Sequence, residues 1–172
     1  MSSSVEIERK FLVRGSQWRD HVKRSIVYRQ GYVANSPAAS VRVRIGDEGA
    51  RLNLKGTTVG VSRREFEYAI PVEDAGIILD ELCDGPLVEK TRHLVEVGDH
   101  EWEIDEFAGA NAGLIVAEIE LAHENEAFER PAWAGTEVSE DVRFYNARLA
   151  KAPFSAWPEP ERASVLAAME GA

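Results

Sequence analysis

Apolar and polar residues alternate with a period of two along most of the chain from Val5 to Ala122. The alternation runs through 5–13 (VEIERKFLV), 25–34 (SIVYRQGYVA), 40–46 (SVRVRIG), 51–56 (RLNLKG) and 62–71 (SRREFEYAIP). It resumes in 87–97 (LVEKTRHLVEV), 100–109 (HEWEIDEFAG) and 113–122 (GLIVAEIELA). Successive strand residues face opposite sides of a sheet, so this pattern predicts about eight β-strands. Short separators such as GDEGA and VGDH favour pairing of consecutive strands as antiparallel neighbours.

Three stretches break the alternation. Residues 71–85 (PVEDAGIILDELCDG) predict a helix, with Pro71 at its start, acids in its first turn and Gly85 after its end. Residues 139–151 (SEDVRFYNARLAK) predict a second, capped by Ser139 and carrying Val142, Tyr145 and Leu149 at helical spacing. Residues 158–171 (PEPERASVLAAMEG) predict a third, expected to cap outer apolar strand faces rather than to close an end of the sheet. There is no internal repeat, low-complexity tract or linker, so residues 1–172 are expected to form one domain.

The charged alternates decide which way the sheet faces. Arg42 and Arg44 alternate with Val41, Val43 and Ile45; Arg51, Asn53 and Lys55 with Leu52 and Leu54; and Arg63, Glu65 and Glu67 with Arg64, Phe66 and Tyr68. Lys90 and Arg92 share a face, and Glu103 with Asp105, and Glu118 with Glu120, form acidic pairs two residues apart. Any one such strand is compatible with a sheet that has one wet face, where cross-strand charge pairs contribute a few tenths of a kcal/mol each. Nearly every strand supplies two or three full charges, however, and the basic ones are mostly Arg. That density fits a closed sheet with a polar interior, whose apolar alternates point outward under the helices.

Composition sharpens the reading. The net charge is −10, which argues against a broad basic surface for nucleic acid or an anionic membrane. A basic site would then have to be local and enclosed. No apolar run is long enough to span a bilayer, and MSSSVEIERKF has no signal-type core, so the expected location is cytoplasmic. The single cysteine, Cys83, reads as a packed helix residue. His21, His93, His100 and His123 lack a zinc spacing, and no phosphate-loop, nucleophile-elbow or H-E-x-x-H motif is present.

An interior of this kind has a definite chemistry. Clustered Arg and Lys donate charge-assisted, often bidentate bonds to phosphate oxygens. Paired carboxylates are hard oxygen ligands suited to Mg²⁺ or Mn²⁺. Together they could hold a metal–polyphosphate complex.

The residues that carry a family resemblance are Glu6-Ile7-Glu8-Arg9-Lys10, an E-x-E-x-K motif, followed in order by YRQGYV, VRVRI, LNLKG, SRREFEY, VEKTRH, WEIDEF, IVAEIEL and EVSEDVRFYNARLA. Over roughly residues 4–151 the chain resembles the CYTH, or triphosphate tunnel metalloenzyme, superfamily. It is most similar to short bacterial members, many of which are inorganic tripolyphosphatases. Class IV adenylate cyclases and thiamine triphosphatases are other branches. The resemblance implies an α+β, mainly β fold: a closed antiparallel eight-stranded tunnel with a charged interior and helices outside. It implies hydrolysis of a linear triphosphate with Mg²⁺ or Mn²⁺, and a homodimer is compatible with it.

By position, the resemblance assigns triphosphate binding to Lys10, Arg42, Arg44, Lys55, Arg63, Lys90 and Arg92. It assigns metal binding to Glu6, Glu8, Glu118, Glu120 and Asp141, with Glu65, Glu67, Glu103 and Asp105 as further tunnel acids. Lys10 and a tyrosine form a dyad in some members. Tyr32 is the better match; Tyr28, four residues away, could share its face but reads as an outer or packing residue, and Tyr145 and Trp102 are expected to pack. Trp18, Trp133 and Trp157 could serve a thiazolium site but read as packing. A non-catalytic triphosphate sensor is the competing class; it would keep the cations and lose the acids, which are all present here.

Overall fold

The computed structural model describes residues 4–57, 59 and 61–171; the ends of the single-domain assignment, residues 1–3 and 172, lie outside them. The strands are β1 (Ser4–Val13), β2 (Val22–Asn35), β3 (Ala39–Gly46), β4 (Gly49–Gly56), β5 (Ser62–Ile70), β6 (Val88–Val97), β7 (His100–Phe107), β8 (Ile115–Glu120) and β9 (Ala134–Glu137). Helix α1 (Val72–Glu81) separates β5 from β6, and α2 (Asn146–Lys151) and α3 (Glu159–Met169) follow β9.

The strands form one sheet in the order β5-β4-β3-β2-β6-β7-β8-β1-β9, and β5 pairs with β1 as well. That pairing closes eight antiparallel strands into a barrel, which agrees with the alternation in the sequence. Closure leaves no long open edge. The hairpin joining β6 to β7 turns at Gly98, whose φ of 60° is the left-handed value that glycine adopts without strain.

Strand β9 is absent from the sequence reading, because AGTE is too short for alternation to register. It completes one edge of β1. Residues Ser4–Ile7 of β1 pair with β5, whereas Phe11 and Val13 pair with β9. At the handover the Glu8 amide donates to the Val61 carbonyl (3.2 Å) and the Lys10 amide donates to Ser139 Oγ (2.9 Å).

The outward alternates are apolar, and their cover is more varied than helices alone. Ala75 and Leu79 of α1 pack on Val43 and Ala50. Cys83 joins this cluster as a free, partly buried thiol, but it lies beyond the end of α1 at Glu81 and is not the helix residue expected, because the chain turns at Leu82. Trp18, from the 3-10 turn Gln17–His21, and Phe128 and Trp133, from the connection between β8 and β9, cover Phe11, Trp102, Ile104 and Ile119. Fully burying each of these large side chains contributes about 1.5–3 kcal/mol. The outer face of β5 is left open, with Phe66 38% and Tyr68 44% exposed.

The C-terminal segment departs from expectation twice. Tyr145 has extended backbone (φ −75°, ψ 135°), so the helix predicted over 139–151 begins only at Asn146; a short 3-10 turn, Val142–Phe144, precedes it. Val142 is accordingly exposed, and Ser139 bonds to strand β1 instead of capping a helix. The tail also closes an end of the barrel. Leu12, Val88, Phe107 and Val116 share the inward faces of Lys10, Lys90, Asp105 and Glu118, and they form one core with Phe144, Leu149, Phe154, Trp157 and Val165. The barrel is therefore a cup with a dry apolar base.

Candidate active site

The charged alternates converge on a cavity of about 380 Å³ inside the barrel. Glu6, Glu8 and Lys10 of β1 line it together with Tyr32, Arg42, Arg44, Lys55, Arg63, Glu65, Glu67, Arg92, Glu103, Glu118 and Glu120. Each strand contributes because its inward residues recur every second position while the outward ones anchor it in the apolar layer. Arg9 shows the same rule from the other side. It lies on the outer face of β1, where Nε and Nη2 donate to Glu137 (2.8 and 2.6 Å) and the guanidinium covers Phe128 at 5.2 Å.

Most cations are already held by carboxylates. Lys55 Nζ donates to Glu6 (2.9 Å), Arg63 bonds to both Glu6 and Glu8 (2.7 and 2.8 Å), and Lys10 pairs with Glu8 (2.8 Å) and Glu118. Burial opposes the charge on Lys10, but Glu118 and Glu8 outweigh it and raise its pKa. The pKa of Glu118 lies well below the usual carboxylate range: burial pushes it up, and Lys10, Arg92 and Lys90 overcome that.

Two cations stand apart. Among the described residues no carboxylate lies within ion-pair distance of Arg42, and its buried Nε has no hydrogen-bond partner. The nearest carboxylate oxygen to Arg44, on Glu67, is 3.7 Å away. Burial, followed by Arg42 and Arg92, lowers the Arg44 pKa, and burial with Arg42 and Arg63 lowers that of Lys55. This part of the wall carries positive charge that only an anion can offset. Tyr32 adjoins it; burial raises its phenol pKa while Arg42, Arg63 and Lys10 oppose the rise.

The acids show the converse. Glu120 has no cation partner among the described residues; its side chain is exposed, and partial desolvation together with Glu6, Glu103, Glu65 and Glu8 raises its pKa. No three carboxylate, imidazole or thiolate groups stand together as a preformed metal cage among the described residues. The donor set nevertheless suits a hard divalent cation. Mg²⁺ keeps several waters and needs only one or two carboxylates besides substrate phosphates, and the region around Glu120 is short of positive charge.

Lys90 and Asp105 lie on the inward face but behind the cavity wall. Both are buried and paired with one another, and Arg92 donates two further bonds to Asp105, each 2.7 Å. Asp105 is thus shared by two cations. Burial, with Arg92 adding to it and Asp105 opposing, lowers the Lys90 pKa to about 8. Asn146 accepts a bond from Lys90 (3.2 Å) and itself lines the cavity.

The structure does not bring Asp141 into the cavity. Its carboxylate accepts from the Arg143 amide (3.1 Å) and guanidinium (2.6 Å) and faces a separate outer groove. Conversely Tyr145, expected to pack, lines the cavity with its ring 5.7 Å from Lys10 Nζ and its hydroxyl donating to the Ser139 carbonyl (2.9 Å). The backbone break at Tyr145 turns it inward, and helical spacing gave no sign of that. Tyr28, read as an outer or packing residue that could share the face of Tyr32, sits beneath Arg44. Asn53 is a further participant: fully buried, it donates to Glu65 (2.7 Å) and Glu67 (2.6 Å) and orients both. Its inward parity was the available signal. Trp18, Trp102, Trp133 and Trp157 are all buried packing residues, as expected.

Comparison with known proteins finds relatives over most of the chain. The family model described as CYTH domain matches residues 4–148. The chain is 45% identical over 154 residues to an inorganic triphosphatase of Acetivibrio thermocellus, covering 90% of this chain and 98% of that one. It is 37% identical over 151 residues to an inorganic triphosphatase of Nitrosomonas europaea, covering 85% and 97%. A crystal structure of an inorganic triphosphatase superposes with a TM-score of 0.62 at 33% identity, covering 84% of this chain and 97% of that one. With the family model spanning all eight barrel strands and the inward charges on one cavity, the chain belongs to the CYTH domain family.

Proposed function

We propose that this protein is a metal-dependent triphosphatase that hydrolyses inorganic tripolyphosphate to pyrophosphate and phosphate. One observation carries the reading: in a one-ended cup, Arg42 and Arg44 lack close carboxylate partners while Glu120 lacks a cation. A linear polyanion with a divalent cation would satisfy both. The relatives named inorganic triphosphatase support it.

Arg42, Arg44, Lys55, Arg63 and Arg92 would hold the phosphate oxygens and spread the charge that develops during transfer. Glu6, Glu8, Glu118 and Glu120 are the candidate metal-side acids, with Glu65, Glu67 and Glu103 beside them. Mg²⁺ or Mn²⁺ bound there would supply Lewis-acid stabilisation and activation of a water. Lys10, pinned by Glu8 and Glu118, and Tyr32 orient groups at the inner end of the cavity. Phosphoryl transfer depends mainly on positioning and electrostatics, so no side-chain nucleophile is needed. The apolar base would close one end of the barrel, so that substrate would enter and leave by the other. Asp141 has no part in this reading. No helix among the described residues is long and apolar enough to cross a membrane.

Phosphate release from tripolyphosphate, ATP, thiamine triphosphate and pyrophosphate, each with Mg²⁺ and with Mn²⁺, tests the proposal, with cyclic AMP measured in the ATP reactions. Fastest turnover of tripolyphosphate is expected. Cyclic AMP formation, or faster turnover of thiamine triphosphate, would reassign the substrate. Binding of tripolyphosphate without turnover of any substrate would make the protein a sensor.

A further inference from the structure

Tyr28 lies on β2 four residues before Tyr32 and on the same inward face. Two cations flank its ring. The Arg44 guanidinium carbon is 4.3 Å from the ring centroid and that of Arg92 is 5.8 Å. The register of the sheet brings Gly46, at the end of β3, against the same ring, and a Cβ there would stand 2.5 Å from Cε1 and 2.8 Å from Cδ1. The ring is thus laid against β3 where only glycine leaves room.

The two cations are held differently. Arg92 donates to Asp105 and pairs with Glu103, whereas Arg44 has only the distant Glu67. Arg44 is partly buried among like charges with Glu67 as its one carboxylate within 4 Å among the described residues, so a further favourable contact is needed to hold it there. The face of the Tyr28 ring is the group in position to do so. Stacking on an aromatic face attracts a guanidinium and fixes its plane, yet leaves the in-plane N–H groups unused. A carboxylate partner would occupy those same N–H groups.

We propose that Tyr28 is a positioning residue of the anion cradle, whose ring holds Arg44 beside Arg92 with the Arg44 N–H groups free for phosphate oxygens. Gly46 is the second part of the device, because its missing side chain gives the ring its place. The inference rests on the triphosphatase reading and extends it to residues outside the ion-pair network.

The test is tripolyphosphate binding by calorimetry, with metal present and with it chelated, alongside steady-state kinetics and thermal melting of each variant. Tyr28→Leu should weaken binding and raise KM by about 2- to 30-fold, the range of a partly desolvated cation–π contact. Tyr28→Phe, which keeps the ring, should restore both to within about twofold. Gly46→Ala should act in the direction of Tyr28→Leu. Arg44→Ala combined with Tyr28→Leu should bind little worse than Arg44→Ala alone.

Wild-type affinity in Tyr28→Leu overturns the proposal. So does Tyr28→Phe binding as poorly as Tyr28→Leu, which would assign the effect to the hydroxyl, or full multiplication of the Tyr28 and Arg44 effects. If Tyr28→Leu melts below the assay temperature, Tyr28→Phe, Gly46→Ala and Arg44→Ala decide the matter by the same criteria. Wild-type protein that binds tripolyphosphate without turnover overturns only the hydrolase reading, since the calorimetry stays informative. Wild-type protein that binds none overturns both.

Discussion

Glu8 and Glu120 are direct cross-strand partners on β1 and β8, yet only Glu8 is neutralised. Glu8 pairs with Lys10 and Arg63, each at 2.8 Å, whereas Glu120 has no cation partner among the described residues. Like charges placed directly opposite on a sheet are destabilising. Their retention marks the place where the fold is short of a positive ion.

This asymmetry gives opposite expectations for activity and stability in Glu120→Gln. Glu120 has a raised pKa in the fold, from partial desolvation and then from Glu6, Glu103, Glu65 and Glu8. For an acid raised on folding, the stabilising contribution is present below the unfolded pKa and is lost as pH rises through the folded one. At pH 7 the charged carboxylate therefore costs stability, by a small amount because its exposure lets water screen the repulsion. Glu120→Gln should melt slightly higher than wild type at pH 7 while losing about 10- to 100-fold in kcat/KM, of the order seen when groups supporting a metal site are removed. A variant that melts higher and keeps full activity would remove Glu120 from the metal side.

Lys90 should set an alkaline limit. Its pKa is lowered to about 8 by burial, with Arg92 adding to the effect and Asp105 opposing it. The cation behind the cradle is lost as pH rises through that value, so kcat/KM should fall above about pH 8. A bound polyanion favours the charged form, which should move the limb of kcat to higher pH. Folding stability has the opposite sign: the unfolded lysine, with an ordinary value of 10.5, binds the proton more tightly, so this group adds stability as pH rises from about 8 towards 10.5. Lys90→Arg should displace the activity limb upward. An identical limb in Lys90→Arg would assign it elsewhere.

Asp141→Ala separates a structural carboxylate from a metal-side one. The Asp141 carboxylate caps the 3-10 turn through the Arg143 amide and pairs with the Arg143 guanidinium. Removing such a cap costs about 0.5–2 kcal/mol. Denaturant unfolding should show that loss, with kcat/KM within about threefold of wild type. A hundredfold fall in activity would return Asp141 to the metal site.

Leu149→Ala probes the closed end. Leu149 is fully buried in the core that joins the barrel base to the C-terminal segment. A cavity left at such a site costs about 2–5 kcal/mol. Because Asn146, one turn earlier, accepts from Lys90, the variant should also raise KM. A large loss of stability with unchanged kinetics would show that the plug supports the fold without tuning the site.

The barrel and most of its lining were legible because strand parity is local. Once Glu6, Glu8 and Lys10 face inward, Ile7, Arg9 and Phe11 must face outward, and the packing of Phe11 follows. The same parity placed Arg42, Arg44, Lys55, Arg63 and Arg92 on the cavity. It failed beyond strand β8, where short elements alternate with irregular backbone. The extended backbone of Tyr145 broke an expected helix, brought a supposed packing residue to Lys10 and left Val142 in water.

Residue order alone points to a closed, antiparallel sheet with charge inside, because side-chain parity is imposed by backbone geometry at every strand residue. It also determined the chemistry of the interior, because residue type and face suffice to assemble donors and acceptors of opposite sign. Which charges cancel emerges in the folded barrel: among the described residues Glu8 is matched and Glu120 is not, and Arg92 is held by acids while Arg44 rests on the Tyr28 ring. Neutralisation depends on distances between side chains from different strands, which the order of residues along one strand does not contain. The closed base was decided there too, because burial of Leu12, Val88, Phe107 and Val116 against the C-terminal segment is a long-range contact with no local signal.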